Sequence, residues 1–486
     1  MKKAFKTTSL LLAFVMIFAT FAGCGNKTTT SDLSDEWETI VEEVVVPNGE
    51  SSQGGDASAQ QGASTQQGGN TATTSNITNL SWNEVKALIP ADAKGKTLEL
   101  ISWNPMDNIK QAKGVIERFT KETGINIKWT TVNDCDNIAV AARVAAGDSP
   151  DIIRCRNGIT NTNLKVLQPL SNVSYNFKDS AWDKNIEALY TANGKVYATT
   201  VKGSLSTHYS GVAYNIDLIE NYGLEDPYAL WKKGQWTWDK MHDIARDFLK
   251  QAGTGYNGIS VSNIEYAFSM GLRTTYFNGK AYATDMGNQK YVSACKYMAD
   301  AYQNGLYDTQ PGDFDGLNQG KLLFVTAQTL ALRTGDFHAR ELREKGLVGF
   351  VPLPSVSGQS DYYSSYGEAE AYGICKGSKN AELVPFFLRY YLDPANYDES
   401  TYFGSKKVTE VREWYEEQIA AGKVKMLATT DSTVMTNDTF GMTHGVYSTQ
   451  ILSTDPAQMQ SRIDSFLPKM EATINDNNAE LKTLVK

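Results

Sequence analysis

Residues 97–130 read TLELISWNPMDNIKQAKGVIERFTKETGINIKWT, and this stretch decides the fold class. TLELISW at Thr97–Trp103 is a short apolar strand pattern. The loop Asn104-Pro105-Met106-Asp107-Asn108 that follows is made of turn and cap residues. Val115, Ile116 and Phe119 then fall on one helical face, and Gly124 ends that segment. Ile125, Ile127 and Trp129 alternate as a second strand would. The two strands start about 28 residues apart, the length of a βαβ unit, and the crossover rule makes them parallel. The first turn has no GxGxxG, so nothing here supports a dinucleotide site.

The pattern continues downstream. Ala139–Ala146 is an alanine-rich helix stopped by Gly147, and Asp148-Ser149-Pro150-Asp151 turns the chain into the strand Ile152-Ile153. Asn193-Gly194 separates ALYTA from KVYAT, the dipeptide of a tight hairpin. Thr237 caps a helix whose apolar residues, Met241, Ile244, Ala245, Phe248 and Leu249, make one stripe. Val384, Phe387, Leu388 and Tyr391 repeat the stripe before Pro394. Trp236-Thr237-Trp238 reads as packing.

With 486 residues the chain has room for two or three domains, and 41% hydrophobic residues suffice for a large core. A net charge of −9 argues against nucleic acid as a partner. His208, His242, His338 and His444 share no ligand spacing, so no metal or other cofactor is expected. Cys295 reads as a buried thiol on a helix with Val292 and Ala299, and sequence leaves open whether Cys135 and Cys155 pair.

The N-terminus is an address. Lys2, Lys3 and Lys6 precede the apolar run Leu10–Phe21, which fits a signal segment better than a membrane span. Phe21-Ala22-Gly23-Cys24 resembles the lipobox of bacterial lipoproteins. That implies cleavage after residue 23 and lipidation of Cys24. The mature chain, without those three lysines, is three units more negative than −9, so the lipid would anchor it. Residues 24–96 read as a tether. Asn48–Asn79 is almost wholly Gly, Ser, Gln, Thr, Ala and Asn, and cannot bury enough apolar surface to offset its chain entropy.

From about Thr97 to Leu392 the chain resembles the extracellular solute-binding proteins of family 1, the group that includes maltodextrin-binding proteins. ISWN at Ile101–Asn104, FTKETGINI at Phe119–Ile127, AAGDSPDII at Ala145–Ile153, NGKVYA at Asn193–Ala198 and VAYNIDL at Val212–Leu218 carry it. WTWDKM at Trp236–Met241, GKLLF at Gly320–Phe324, GFVPLP at Gly349–Pro354 and GSKNAE at Gly377–Glu382 follow in the family's order. The resemblance implies a type II, periplasmic-binding-protein-like α/β fold with two lobes and a hinged cleft. Carried over, 97–207 and 322–365 form the first lobe, and 211–320 and 370–486 the second. Crossings fall near His208, Ala327–Arg333 and Tyr366–Tyr372. The implied protein is a monomer that captures a small solute, most plainly a mono- or oligosaccharide, at the outer face of the cell membrane. It delivers that solute to an ABC permease.

The site residues follow from that placement. Trp103, Asn104 and Asp107 close the first strand; strand packing for Trp103 and a helix cap for Asp107 are equally open readings. Arg154 and Arg156 follow the PDII strand and can grip hydroxyls or a carboxylate. Cys155 stands where the maltodextrin group places an aromatic, so a long glucan is not implied. His208 and Tyr209 lie at the first crossing, Arg333 and Asp336 after the second, and Glu368 and Glu370 at the third. Arg333 with Asp336 also reads as a structural ion pair. Trp231 and Tyr276 are the stacking rings of the second lobe. The rival readings are a lipid-anchored glycosidase, for which Glu368 and Glu370 are paired carboxylates with no acid/base partner specified, and a sensor or adhesion lipoprotein on the same fold. No GxSxG or HExxH supports an enzyme.

Overall fold

A computed structural model describes residues 80–109, 111–132, 138–261, 264–308, 313–333, 340–403, 405–428 and 450–485, together with the backbone of Ile40–Val44. Two six-stranded sheets organise it. The first runs Ile40–Val44, Asn126–Thr131, Thr97–Ser102, Ile152–Cys155, Ala371–Ile374, Ala198–Thr199. Thr97–Ser102 is parallel to both of its neighbours, as the opening βαβ pattern requires. The intervening helix, Ala112–Thr123, buries Val115, Ile116 and Phe119, and Gly124 ends it at φ 75°. Any other residue would be strained at that φ. Asn193 and Gly194, both at positive φ, turn the hairpin Thr191–Ala192/Lys195–Val196. Thr237 accepts from the Lys240 N–H and caps Trp238–Ala252. Both tryptophans flanking Thr237 are buried with their indole N–H groups satisfied, by Pro352 O and Ser269 Oγ at 2.9 Å.

The second sheet runs Val424–Leu427, Tyr362–Ala369, Thr207–Asn215, Leu322–Gln328, Asn257–Ser260, and Val348–Pro352 also pairs with Thr207–Asn215. This order corrects the expected division of the chain. Leu322–Gln328 and Val348–Pro352 both pair antiparallel with Thr207–Asn215, so 322–365 lies with the second sheet, not the first. No crossing occurs at Ala327–Arg333; a 3-10 turn at Thr329–Leu332 precedes the return to the same sheet. The chain does pass between sheets where Thr207 begins its strand, and again at Ala369–Ala371, but this second passage runs from the second sheet to the first. The helix Val384–Tyr391 then packs on Ala112–Thr123, with Phe119 and Phe387 rings 5.3 Å apart. A further passage after Asn396 puts Lys406–Ala420 against Val348–Pro352.

The tether expectation also needs correction at both ends. Ile40–Val44 is an antiparallel edge strand on Asn126–Thr131, from Ile40 opposite Thr131 to Val44 opposite Ile127. Its sequence, IVEEV, is rich in β-branched residues, and the edge offers an unpaired ladder. Trp82–Ala87 is a helix opened by a capping box of Ser81 and Glu84, with Val85 buried and Trp82 edge-on to Tyr390 at 4.6 Å. Cys24, Cys135, His338 and His444 lie outside the described residues. Cys155, Cys295 and Cys375 are buried free thiols. Among the described residues no helix is long and apolar enough to cross a membrane.

Glu99, on the strand that opens the fold, gathers Arg143 Nη1 and Nη2 at 3.1 and 2.8 Å, Lys128 Nζ at 3.1 Å and Thr130 Oγ1 at 2.8 Å. Burial pushes its carboxyl up, but these partners outweigh burial and hold it down at about 2. A carboxyl lowered on folding adds stability that is full above about pH 4.5 and is lost as pH falls toward 2. Chemical denaturation should show the wild type losing about 1–2 kcal/mol through this group across that window, after allowance for its part exposure. Glu99→Gln should flatten the slope there.

Candidate functional site

The parallel strands of the first sheet end side by side, and the residues just past them carry the chemistry. Thr97–Ser102 delivers Trp103, and the neighbouring Ile152–Cys155 delivers Arg154 and then Arg156. The Arg154 guanidinium carbon lies 4.4 Å from the centroid of the Trp103 ring, and that of Arg156 5.8 Å. Both are within cation–π range. Trp103 is half-buried, so it serves as the apolar wall of this group.

Arg154 is fully engaged. Its Nε donates to Glu370 Oε2 at 3.0 Å, Nη2 bonds Glu370 Oε1, and Nη1 reaches Ser102 Oγ at 3.4 Å. Glu370 sits at the passage between sheets. The next residue, Ala371, stands opposite Cys155 in the first sheet, so the ion pair fastens the passage to the strand beside it. Burial disfavours charge on Arg154, and Glu370 outweighs it, so the guanidinium stays charged. Burial, with the nearby Glu368 carboxylate adding to it, pushes the Glu370 carboxyl up against the pull of Arg154.

Arg156 and Glu368 form the second, looser pair. Arg156 Nη1 is 3.6 Å from Glu368 Oε1, with side chains 19% and 14% exposed. Glu368 stands opposite His208 across the ladder of Thr207–Asn215 and Tyr362–Ala369. His208 is buried, with Nδ1 3.4 Å from Thr329 Oγ1. Burial, then the charges of Arg412, Arg333 and Arg154, depress its pKa well below the usual imidazole value. It is therefore a neutral imidazole at physiological pH.

The structure thus brings together Trp103, Arg154, Arg156, His208, Glu368 and Glu370, with half-buried Arg333 close enough to act on His208. Asn104 joins mainly through its backbone, whose carbonyl accepts from Trp129 Nε1 at 3.0 Å. Asp107 is exposed on the 3-10 turn Met106–Asn108. Asp336 lies outside the described residues. Tyr209 is buried and stacks on Tyr415 at 4.9 Å. Trp231 is buried edge-on to Trp414 at 5.7 Å, away from the charged group. Tyr276 is half-buried beneath Arg273, 3.5 Å from its ring centroid, on a separate hairpin, Tyr276–Phe277/Tyr282–Ala283. Sequence reasoning missed Gln328 and Thr329. Their one signal is position, an amide and a hydroxyl where the apolar strand LLFVTAQ ends.

Chemically, the group offers one indole, the guanidiniums of Arg154 and Arg156 with Arg333 nearby, two carboxylates and a neutral imidazole. Glu370 is bound by Arg154, Glu368 lies 3.6 Å from Arg156, and the two carboxylates also act on each other. No cluster of three or more metal-ligating side chains occurs among the described residues.

The fold has solved counterparts. The GacH receptor of Streptomyces glaucescens, solved free and with acarbose, aligns at a TM-score of 0.56 and 15% identity over 77% of this chain and 98% of its own. The galacto-N-biose/lacto-N-biose I-binding protein of a Bifidobacterium longum ABC transporter aligns at 0.58 and 13% identity, over 79% and 98%. The extracellular solute-binding protein of Staphylococcus aureus, solved with maltose, aligns at 0.56 and 14%, over 81% and 100%. At such identities the likeness is one of fold, the two-lobed type II architecture. No curated protein sequence matches the chain. The family model described as bacterial extracellular solute-binding protein matches residues 102–398, from the end of the opening strand to the last passage between sheets and more than half of the chain. Shared fold and matched sequence together make this chain a member of the bacterial extracellular solute-binding proteins.

Proposed function

We propose that the protein captures a mono- or oligosaccharide outside the membrane and hands it to an ABC importer. It does not transform its ligand. The observation that supports this best is the grouping of Trp103 with the Arg154–Glu370 and Arg156–Glu368 pairs at the carboxyl ends of the first-sheet strands. Ligands of open α/β sheets bind at such strand ends. An indole face with hydrogen-bonding groups around it suits a sugar ring, apolar on its faces and polar at its rim. The solved counterparts with acarbose, lacto-N-biose and maltose point to the same ligand class. A glycosidase is disfavoured, because Glu368 and Glu370 are each engaged by an arginine and the family model that matches the chain describes a binding protein.

Capture works by lobe closure. Each lobe supplies part of the contact surface, so ligand binds the closed form better and shifts the population toward it. A shift from 1:99 to 99:1 takes about 5.5 kcal/mol of differential binding. The body is held at the outer face by lipidated Cys24.

Calorimetry against a carbohydrate panel tests the ligand class, and a response to a peptide or polyamine with none to any sugar would overturn it. With the sugar in hand, Trp103→Ala should weaken binding by about 1–3 kcal/mol, the scale of a buried aromatic contact. Unchanged affinity in a folded variant removes Trp103 from the site. Small-angle scattering should show contraction on saturation. Cys24→Ser should move the protein from the membrane fraction to the medium, and continued membrane fractionation would contradict the anchor.

A further inference from the structure

The buried side-chain atoms at this junction with no hydrogen-bond partner among the described residues include Nε of Arg156, a donor, and Oε1 of Gln328, an acceptor. Buried groups of this kind are costly to leave unmade, and a native site that keeps them has a use for them. The two flank one short segment. Gln328 ends the Leu322–Gln328 strand, and its side chain lies against Gly367, where a Cβ would come within 2.5 Å of Gln328 Cβ and 2.9 Å of its Oε1. Only a residue without a side chain admits the amide there. The ladder slips register at that point, between Tyr366 and Glu368. The next residue, Glu368, is the partner of Arg156, at 3.6 Å, too far for a hydrogen bond. The idle acceptor therefore lies against Gly367, and the idle donor belongs to the partner of the next residue, with its guanidinium carbon 5.8 Å from the Trp103 ring centroid.

Two ion pairs and a neutral ring stand around them. Arg154 is matched by Glu370 and Arg156 by Glu368, and His208 is neutral. We infer that Gln328, Arg156 and Glu368 together read adjacent hydroxyls of an uncharged ligand, with Gln328 the residue that sets this specificity. The inference rests on the carbohydrate reading above and narrows it. A hydroxyl both accepts and donates, so neighbouring hydroxyls can take the Arg156 Nε–H and give to Gln328 Oε1 without disturbing the ion pair. A uronate would compete for Arg156 and strand the Glu368 carboxylate, only 14% exposed. An amino sugar would take Glu368 and strand Arg156. Either leaves a charge out of water without its partner. Both idle atoms are buried here, so a ligand's access to them rests on the lobe movement proposed above.

The test titrates the full mature chain by calorimetry with matched trios: glucose, glucuronic acid and glucosamine; galactose, galacturonic acid and galactosamine; and maltose beside them. The neutral member of a binding trio should bind at least about tenfold more tightly than either charged one. Gln328→Leu, close in size and without the acceptor, should weaken that neutral sugar about tenfold while the ligand-free Tm holds or rises. A charged sugar that binds as tightly as its neutral parent overturns the inference and leaves the carbohydrate reading intact. So does an unchanged affinity in folded Gln328→Leu. A folded wild type that binds none of these sugars but binds a peptide or polyamine overturns the carbohydrate reading, and the inference with it.

Discussion

A guanidinium and a carboxylate, both nearly out of water, hold the place where the chain leaves one sheet for the other. The Arg154–Glu370 side chains are 4% and 1% exposed. Desolvating two ions costs several kcal/mol each, and their attraction repays it only with excellent geometry. Here the fork is bidentate and Ser102 takes a further donor. The return is positional. The pair sets Glu370 at the end of Ile152–Cys155, and it lays the Arg154 guanidinium over the Trp103 ring. Its loss would leave one buried charge alone, a far larger penalty than the pair's net worth.

Neighbouring contacts make the same passage rigid from the first-sheet side. Ala369 O accepts from Tyr190 Oη at 2.6 Å and from the Asn157 N–H at 3.1 Å. Asn157 reaches that geometry at φ 59°, a region asparagine tolerates better than most side chains. The other passage is held from the opposite side. Buried Arg412, on Lys406–Ala420, donates to the carbonyls of Thr207 and Ser204 and to Glu399. Between these two fixed ends lies the short ladder whose register slips beside Gly367. Glu368 belongs to that ladder and also to the site.

Local signals were legible in the sequence and non-local ones were not. The βαβ start, the Asn193-Gly194 hairpin and the Thr237 cap all depend on residues within a few positions of each other. Trp103, Arg154 and Arg156 were legible as site candidates because each follows a strand. The lobe membership of 322–365 was not. LLFVTAQ is buried on both faces, and nothing in it states which sheet it joins; that is fixed by pairing with Thr207–Asn215, over a hundred residues earlier. Aromatic identity misled for the same reason. Trp231 looked like a stacking ring, yet Tyr228 and Trp414 enclose it. Gln328 gave only its place at a strand end, since the contact that holds its side chain is with a glycine on another strand.

The edge strand Ile40–Val44 bears on the proposed mooring through Cys24. A leash running free from Cys24 to Leu80 would let the body roam far from the bilayer. Stitched onto Asn126–Thr131 at Ile40, only residues 25–39 remain to pay out, at most about 50 Å fully stretched. On the proposed anchoring, the body's first contact with its mooring is then the edge of the first sheet, and its reach from the lipid surface is set by those fifteen residues alone.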